Sequence, residues 1–247
     1  MPATSTVHWF RRTAGLALLL LLGLQAALAQ EAVIRKNIAE RLPEFPKIDE
    51  VTKTAIPGIY ELRIGTEVVY SDEQGNHLIE GSLIDTRSRA NLTEARQNKL
   101  NAIDFASLPL KDAMVWKQGT GARRIAVFAD PNCGYCKKFE RDLQQVKDVT
   151  VYTFLIPILG GDSPEKATNI WCAKDNTRAW RDWMLDGKAP PRSMGSCETP
   201  IARNLALSRK HKVNGTPAIV FEDGTRIPGA VGAEQLEKQL VASRSKG

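Results

Sequence analysis

The sequence has few of the side chains from which metal centres are usually built. Its 247 residues include only four cysteines and three histidines. A structural zinc site usually needs two close cysteine pairs or a cysteine/histidine set. Cys172 and Cys197, however, stand far apart in the sequence, and only His77 and His211 follow the first 29 residues. We therefore expect no bound metal.

The excess of charge of one sign is also small. Lysines and arginines number 34 against 28 aspartates and glutamates, which gives a formal net charge of +6. The excess is spread along the chain, and no basic run is interleaved with aromatic residues as it would be in a nucleic-acid interface. We expect a solvated surface and no nucleic-acid partner.

Long apolar runs do not occur after residue 29. Before it, a short apolar block at residues 14–24 follows two arginines and precedes small residues up to Ala29. This order is typical of a secretory signal peptide, and the block is shorter than the roughly 20 residues that a membrane span needs. We predict a signal peptide over residues 1–29, cleaved after Ala29. Export to the periplasm would allow the cysteines to form disulfides.

The stretch that carries chemistry is Cys133-Gly-Tyr-Cys136, placed where a β-rich run gives way to a helical pattern. At a helix N-terminus, unpaired N–H groups and the positive end of the helix dipole favour a thiolate. Cys133 is therefore the predicted nucleophile. Cys136, one turn further in, is the predicted resolving thiol, which attacks a mixed disulfide at Cys133 and releases the partner. A purely structural bridge is disfavoured because so short a loop constrains the unfolded chain weakly. No cofactor is expected beyond this redox-active pair.

The predicted elements around the motif follow the order of the thioredoxin fold. Strands at residues 124–129 and 149–156, with the motif helix between them, form a βαβ unit. Residues 218–221 and 225–227 predict an antiparallel hairpin, and a terminal helix follows. A Cys-x-x-Cys motif after the first strand completes the pattern.

The chain between residues 156 and 213 is too long for one crossover helix. One helix is predicted from Ser163, with Ser163 as its cap and Pro164 at the first helical position, and another from Thr199 and Pro200. The first carries three tryptophans, which are interpreted as packing residues: Trp171, Trp180 and Trp183. We predict a helical insertion in the thioredoxin fold.

The remaining cysteines, Cys172 and Cys197, lie in this insertion and most simply bond to each other. Closing a loop of that length stabilises a protein by about 3 kcal/mol in the chain-entropy model. Four cysteines permit three connectivities. The assignment depends on giving the close pair, Cys133 and Cys136, to redox chemistry.

Thr216 and Pro217 precede the predicted hairpin. A proline before a strand is ordinary turn chemistry. In a thioredoxin architecture, however, this proline lies opposite the active thiols, where a cis peptide would present the Thr216 backbone to an extended substrate segment.

Asp130, just before the motif, has two interpretations. It is either a turn or capping residue beside Pro131, or a buried proton acceptor for Cys136, whose thiol must lose a proton to resolve a mixed disulfide.

Residues 30–91 contain no cysteine and predict a small separate domain. A helix is predicted at residues 32–42. Three apolar runs predict antiparallel strands: 59–64, 67–71 and 77–80. So small a sheet has exposed edges that a second copy would cover, and we predict a dimerisation domain, with an independently folding decoration as the alternative. Residues 92–109 are predicted to form a linker helix to a catalytic domain at residues 110–247.

The motif Cys133-Gly-Tyr-Cys136, together with Gly215-Thr-Pro-Ala218 and the domain order, resembles the periplasmic disulfide isomerases of the DsbC type over essentially the whole mature chain. The resemblance implies a cystatin-like amino-terminal domain (α+β), a thioredoxin-like carboxy-terminal domain (α/β), a homodimer and reduction by a DsbD-like membrane protein. Gly134 and Tyr135 are then expected to contact substrate together with Thr216 and Pro217. Lys137 stands where the best-known member has histidine.

The predicted function is rearrangement of incorrect disulfides in misfolded exported proteins by thiol–disulfide exchange through Cys133 and Cys136. Two alternatives remain at this stage. A thiol oxidase would use the same motif in its disulfide form, and a holdase chaperone would use a dimer cleft and need no cysteine.

Overall fold

The computed structural model describes residues 29–244. The chain divides into two compact units between Leu100 and Asn101. The predicted signal peptide, residues 1–29, lies outside the described residues apart from Ala29, which is already helical. No helix within residues 29–244 combines the length and the apolarity needed to cross a bilayer.

The first unit packs one helix against an antiparallel sheet, which is the arrangement predicted from the sequence. Helix α1 covers residues 29–41 and buries Ile34 and Ile38 against Tyr60 and Leu62 of the sheet. Ile34 and Ile38 share a face because they stand four residues apart. The strands pair in sequence order: β1 (Glu50–Lys53), β2 (Ile59–Ile64), β3 (Glu67–Asp72) and β4 (Leu78–Ile79). The sequence pattern misses β1, which has a single apolar residue.

A short ladder and a second helix complete this unit. Strands β5 (Ile84–Asp85) and β6 (Ala90–Asn91) pair antiparallel, and helix α2 (Leu92–Leu100) follows. Arg96 fixes α2 to the sheet by donating to Glu61 of β2 and Glu50 of β1, both at 2.8 Å. Helix α2 covers only the first part of the predicted linker segment, residues 92–109.

The second unit contains a mixed sheet with the spatial order β11-β10-β8-β9-β7. Its strands are β7 (Met114–Gln118), β8 (Arg123–Ala129), β9 (Val149–Leu155), β10 (Ala218–Phe221) and β11 (Arg226–Pro228). Strand β8 pairs parallel with β9 and antiparallel with β10, so the predicted βαβ unit and hairpin are confirmed. Edge strand β7 is missed by the sequence pattern because only Met114 in it is buried.

The central strand β8 separates two apolar clusters. Successive side chains of a strand point to opposite faces. Val127 therefore packs with Phe139 and Leu240 on one side, and Phe128 stacks on Phe154 on the other, with ring centroids 5.1 Å apart. The helices are α3 (Gly134–Leu143), α4 (Ser163–Trp171), α5 (Asn176–Asp186), α6 (Ile201–Lys210) and α7 (Ala233–Arg244). Helix α3 begins at the edge where the parallel strands β8 and β9 end, which is where α/β sheets carry their sites.

The helical insertion differs from the prediction in two respects. The single helix expected to carry all three tryptophans is two helices, α4 and α5, because Asp175 caps a new helix by accepting the Arg178 N–H at 2.9 Å. Ser163 is not a cap but the first helical residue. Its buried hydroxyl instead donates to Asp130 at 2.6 Å.

A disulfide bond closes the helical insertion. Cys172, at the end of α4, is bonded to Cys197, with the sulfurs 2.03 Å apart. The two residues are 25 positions apart in the sequence. The bond encloses the whole of α5.

We expect the free energy of unfolding of a Cys172→Ser/Cys197→Ser double variant to be lower by about 3 kcal/mol, because the open loop gains chain entropy in the unfolded state. Chemical denaturation of the variant and of the parent chain, with Cys133 and Cys136 reduced in both, measures this difference. Equal midpoints and slopes for the two chains would contradict the prediction.

Candidate active site

The motif cysteines lie at the N-terminus of α3, directly after strand β8 and the turn that follows it. Cys133 is the N-cap residue, and its sulfur accepts the Cys136 N–H at 3.4 Å. Both cysteines are free, so the structure describes the reduced pair. Cys136 lies in the first helical turn and is only 1% exposed. Cys133 is also buried, at 5% exposed, but as the N-cap residue it receives the unpaired N–H groups of the helix N-terminus.

The two thiols have pKa values displaced in opposite directions. The pKa of Cys133 is lowered to about 5, chiefly by the hydrogen bond from the Cys136 thiol and also by the N–H groups of Cys136 and Tyr135, against the opposing effect of burial. Burial raises the pKa of Cys136 far above its usual range, and its hydrogen bond to Cys133 adds to that effect. At neutral pH, Cys133 is therefore the thiolate and Cys136 holds the proton.

We expect the ultraviolet absorbance of the reduced protein to show one thiolate titrating near pH 5. This pKa is below the unfolded value of about 8.5, so the stability of the reduced protein increases as the pH rises from 5 to 8.5. The same contribution is lost as the pH falls through 5. A Cys136→Ala variant should titrate at higher pH because it lacks the main hydrogen bond to the sulfur. A Cys133→Ser variant is the blank. A step near pH 5 that survived in the blank would assign the thiolate to another residue.

The Thr216–Pro217 loop lies against the nucleophile. The peptide bond between these residues is cis. The Cys133 sulfur lies 3.1 Å from the Thr216 carbonyl oxygen, to which it donates when it is protonated. Pro217 comes directly before β10, the strand that pairs with β8. The sheet thus brings together two segments that are 83 residues apart in the sequence.

The carboxylate of Asp130 is held by hydrogen bonds at the active-site turn. It is fully buried. Its Oδ1 accepts from the Asn132 N–H at 2.7 Å and from the Ser163 hydroxyl at 2.6 Å, and its Oδ2 accepts from the Leu159 N–H at 2.9 Å. These three donors hold the carboxylate in place and join the active-site turn to the loop after β9 and to α4. This geometry favours the turn interpretation over the proton-acceptor one.

The outer surface of the motif is open. Gly134 is exposed, with free space where a Cβ would stand, and Tyr135 is 70% exposed. Both residues lie on the solvent side of α3, where an approaching chain can reach them.

Glu140, one turn beyond Cys136 on α3, is a buried carboxyl that sequence reasoning missed. The Trp180 indole donates to it at 2.6 Å. Burial nevertheless raises the pKa of Glu140 to about 6. The folded state therefore binds a proton more tightly than the unfolded state, and stability is lost as the pH rises through about 6.

A Glu140→Gln variant is expected to be more stable than the parent above pH 6, by about 2 kcal/mol, because it keeps an acceptor for Trp180 without burying a charge. At pH 4 the advantage should vanish. Thermal unfolding of both chains at several pH values tests this, and an advantage that did not change with pH would exclude the ionisation of Glu140 as its cause.

The comparisons with known proteins match both units. Residues 110–243 match the thioredoxin-like domain family, and residues 25–94 match the N-terminal domain of disulfide bond isomerase proteins. The probable thiol:disulfide interchange protein DsbC of Bordetella pertussis is 43% identical over 216 residues, which are 87% of this chain and 76% of the relative. The chain belongs to the DsbC family of thiol:disulfide interchange proteins. Its reaction is the thiol–disulfide exchange of a disulfide isomerase.

More distant relatives and a solved structure agree. The thiol:disulfide interchange protein DsbC of Escherichia coli (strain K12) is 29% identical over 221 residues, with 87% of this chain and 89% of the relative covered. The crystal structure of a disulfide interchange protein from Neisseria gonorrhoeae is 37% identical, with a TM-score of 0.53 over 56% of this chain and 99% of that one.

Sequence reasoning singled out the cysteines and the Thr216–Pro217 pair, and the structure brings them together. It did not find the contact between Trp183 of α5 and the active-site turn, where the indole N–H donates to the Pro131 carbonyl at 2.6 Å. No local sequence signal reports this contact, because 52 residues separate the two partners.

Proposed function

We propose that Cys133 carries the exchange reaction as nucleophile and that Cys136 resolves it. The supporting observation is the division of labour between the thiols: the N-cap sulfur has its pKa lowered to about 5, while its neighbour is buried and protonated. The Cys133 thiolate attacks one sulfur of a substrate disulfide. This step forms a Cys133–substrate disulfide and releases the other substrate sulfur as a thiolate.

The mixed disulfide then has two outcomes. A substrate thiolate attacks the substrate sulfur bound to Cys133 and forms a new substrate disulfide, which regenerates the Cys133 thiolate with no net change in electrons. Alternatively, Cys136 gives up its proton and attacks Cys133, so that a Cys133–Cys136 disulfide forms and the substrate leaves with two thiols. The second outcome requires a thiol reductant to restore the enzyme. A membrane reductase of the DsbD kind would supply it, and the cysteine pair needs no other cofactor.

The substrate binds as an extended segment through its backbone. We assign this role to Thr216 and Pro217, because the Thr216 carbonyl lies 3.1 Å from the Cys133 sulfur and the loop is followed directly by a strand. Gly134 and Tyr135 provide the open side of the same site. The clients are misfolded, disulfide-containing proteins in the periplasm, to which the leader sequence would direct the chain.

The first unit acts as a dimerisation domain in this proposal. Exposed apolar side chains on it include Ile79 on edge strand β4, Ile84 on β5 and Leu92 on α2. A second copy would cover such an edge. Sedimentation of the mature chain tests the homodimer, and a monomer at all concentrations would exclude it.

The deciding experiment is the reactivation of a scrambled multi-disulfide protein by the reduced mature chain without added oxidant. Recovery of activity is the expected result, because isomerisation requires no net oxidation. If the chain failed there but its disulfide form oxidised a reduced substrate, the protein would be a thiol oxidase.

A further inference from the structure

Trp183 contacts three separate parts of the active-site end of the second unit. Its indole N–H donates to the carbonyl of Pro131, two residues before the nucleophile. Its ring also lies beside two ammonium groups. Lys137 Nζ, from α3, is 4.1 Å from the ring centroid, and Lys166 Nζ, from α4, is 4.2 Å from it.

The contact with Lys166 extends to the turn itself. Lys166 Nζ donates to Asn132 Oδ1 at 2.7 Å and pairs with Asp162 at 3.0 Å. Asn132 in turn donates to Asp162 Oδ1 at 2.7 Å. The residue directly before Cys133 is therefore fixed by a lysine that is itself held against Trp183.

Two ammonium groups repel each other, and a partner must offset that repulsion if both are to stay in one place. The negative face of an indole attracts cations at this distance, and Asp162 balances one of the two charges. Lys137 and Lys166 together carry two positive charges against this one carboxylate, so the cluster is net positive. Lys137 directly follows Cys136 in the sequence, and Asn132, to which Lys166 donates, directly precedes Cys133. Positive charge near a thiolate favours the thiolate over the thiol.

We propose that Trp183 is a positioning residue for thiol–disulfide exchange. It fixes the active-site turn through Pro131 and holds two lysines, Lys137 next to Cys136 in the chain and Lys166 bound to Asn132, and it thereby helps to set the reduction potential of the cysteine pair. The inference rests on the proposed roles of Cys133 and Cys136. The thiolate belongs to the reduced form of the pair, so whatever stabilises it raises the potential. Loss of Trp183 should therefore favour the Cys133–Cys136 disulfide.

The test is the redox equilibrium of full-length mature variants with glutathione, read by alkylation of free thiols and mass shift. Trp183→Leu removes both the N–H donor and the aromatic face and should shift the equilibrium constant about fivefold to tenfold toward the disulfide. A tenfold shift corresponds to about 30 mV. Trp183→Phe keeps a ring and should show a smaller shift. Lys137→Gln and Lys166→Gln should each reproduce part of the effect, and the Cys133 thiolate should titrate at higher pH in all four variants.

Trp116→Phe is the matched control. Trp116, on β7, also lies against a cation, with Arg181 4.6 Å from its ring centroid, but it has no contact with Pro131 among those that the structure describes. This variant should keep the parental equilibrium constant. A Trp183→Leu variant with lowered thermal stability but an unchanged equilibrium constant would reduce Trp183 to a packing residue and overturn the proposal. If Trp183→Leu does not fold, unchanged constants in Trp183→Phe and both lysine variants overturn it equally.

The parent chain separates the two possible failures. If the parent exchanges with glutathione through Cys133 and the Trp183 and lysine variants match it, only the inference about Trp183 fails. If the parent shows no exchange at Cys133, the proposed function fails first.

Discussion

Cys133→Ser is expected to abolish the reactivation of a scrambled protein, with a loss of at least about a thousandfold in rate, because only a thiolate attacks a disulfide efficiently. Cys136 is unable to replace it. That thiol is 1% exposed, and burial raises its pKa far above neutrality. The measurement is the recovery of client activity with equal amounts of parent and variant.

Cys136→Ser is the matched variant for the same assay. It keeps the nucleophile but lacks the resolving thiol, so Cys133–substrate disulfides should accumulate and be visible on non-reducing gels. Clients that rearrange on their own should still be reactivated, while net reduction should be lost. Reactivation by Cys133→Ser, or trapping through Cys136 in that variant, would reverse the assignment of the two cysteines.

Asp130→Ala is expected to destabilise the second unit by about 3 kcal/mol, because a buried donor left without a partner costs about 1–3 kcal/mol and two partly buried donors add to that cost. Three donors lose their acceptor in this variant: the Asn132 and Leu159 N–H groups and the Ser163 hydroxyl. Thermal and chemical unfolding of the full mature chain provide the measurement.

Asp142→Ala is the control for removing a carboxylate from this region. Its partner in an ion pair of 2.8 Å is Lys138, which is largely exposed. A surface pair one helical turn apart contributes about 0.3–0.5 kcal/mol. Equal effects of the two substitutions would mean that the Asp130 hydrogen bonds contribute little to stability.

Local sequence rules were sufficient where the chemistry depends on neighbours in the chain. The three-residue spacing of Cys133 and Cys136 before a helical pattern was enough to place both on one turn, because the helix fixes their separation. The two runs of β-branched residues around the motif predicted the parallel pair β8 and β9. The edge strands β1 and β7 were not found, because β1 has a single apolar residue and β7 does not alternate apolar with polar residues.

Contacts between distant segments could not be predicted from local sequence. Ser163 before Pro164 has the sequence of a helix cap, yet a buried carboxylate 33 residues earlier takes its hydroxyl. Trp183 has the pattern of a packing residue, and only the fold shows that its N–H reaches Pro131. In each case a hydrogen bond between distant segments prevailed over the local preference, and no window of sequence contains both partners.

The bond between Cys172 and Cys197 makes this protein itself a product of oxidative folding. Helix α5, with Trp183 against the active-site turn, lies wholly inside the loop that this bond closes. That loop is secured only when Cys172 pairs with Cys197, which is one of the six single disulfides that four cysteines can form. The enzyme therefore depends for its own fold on the same class of bond that its reaction rearranges.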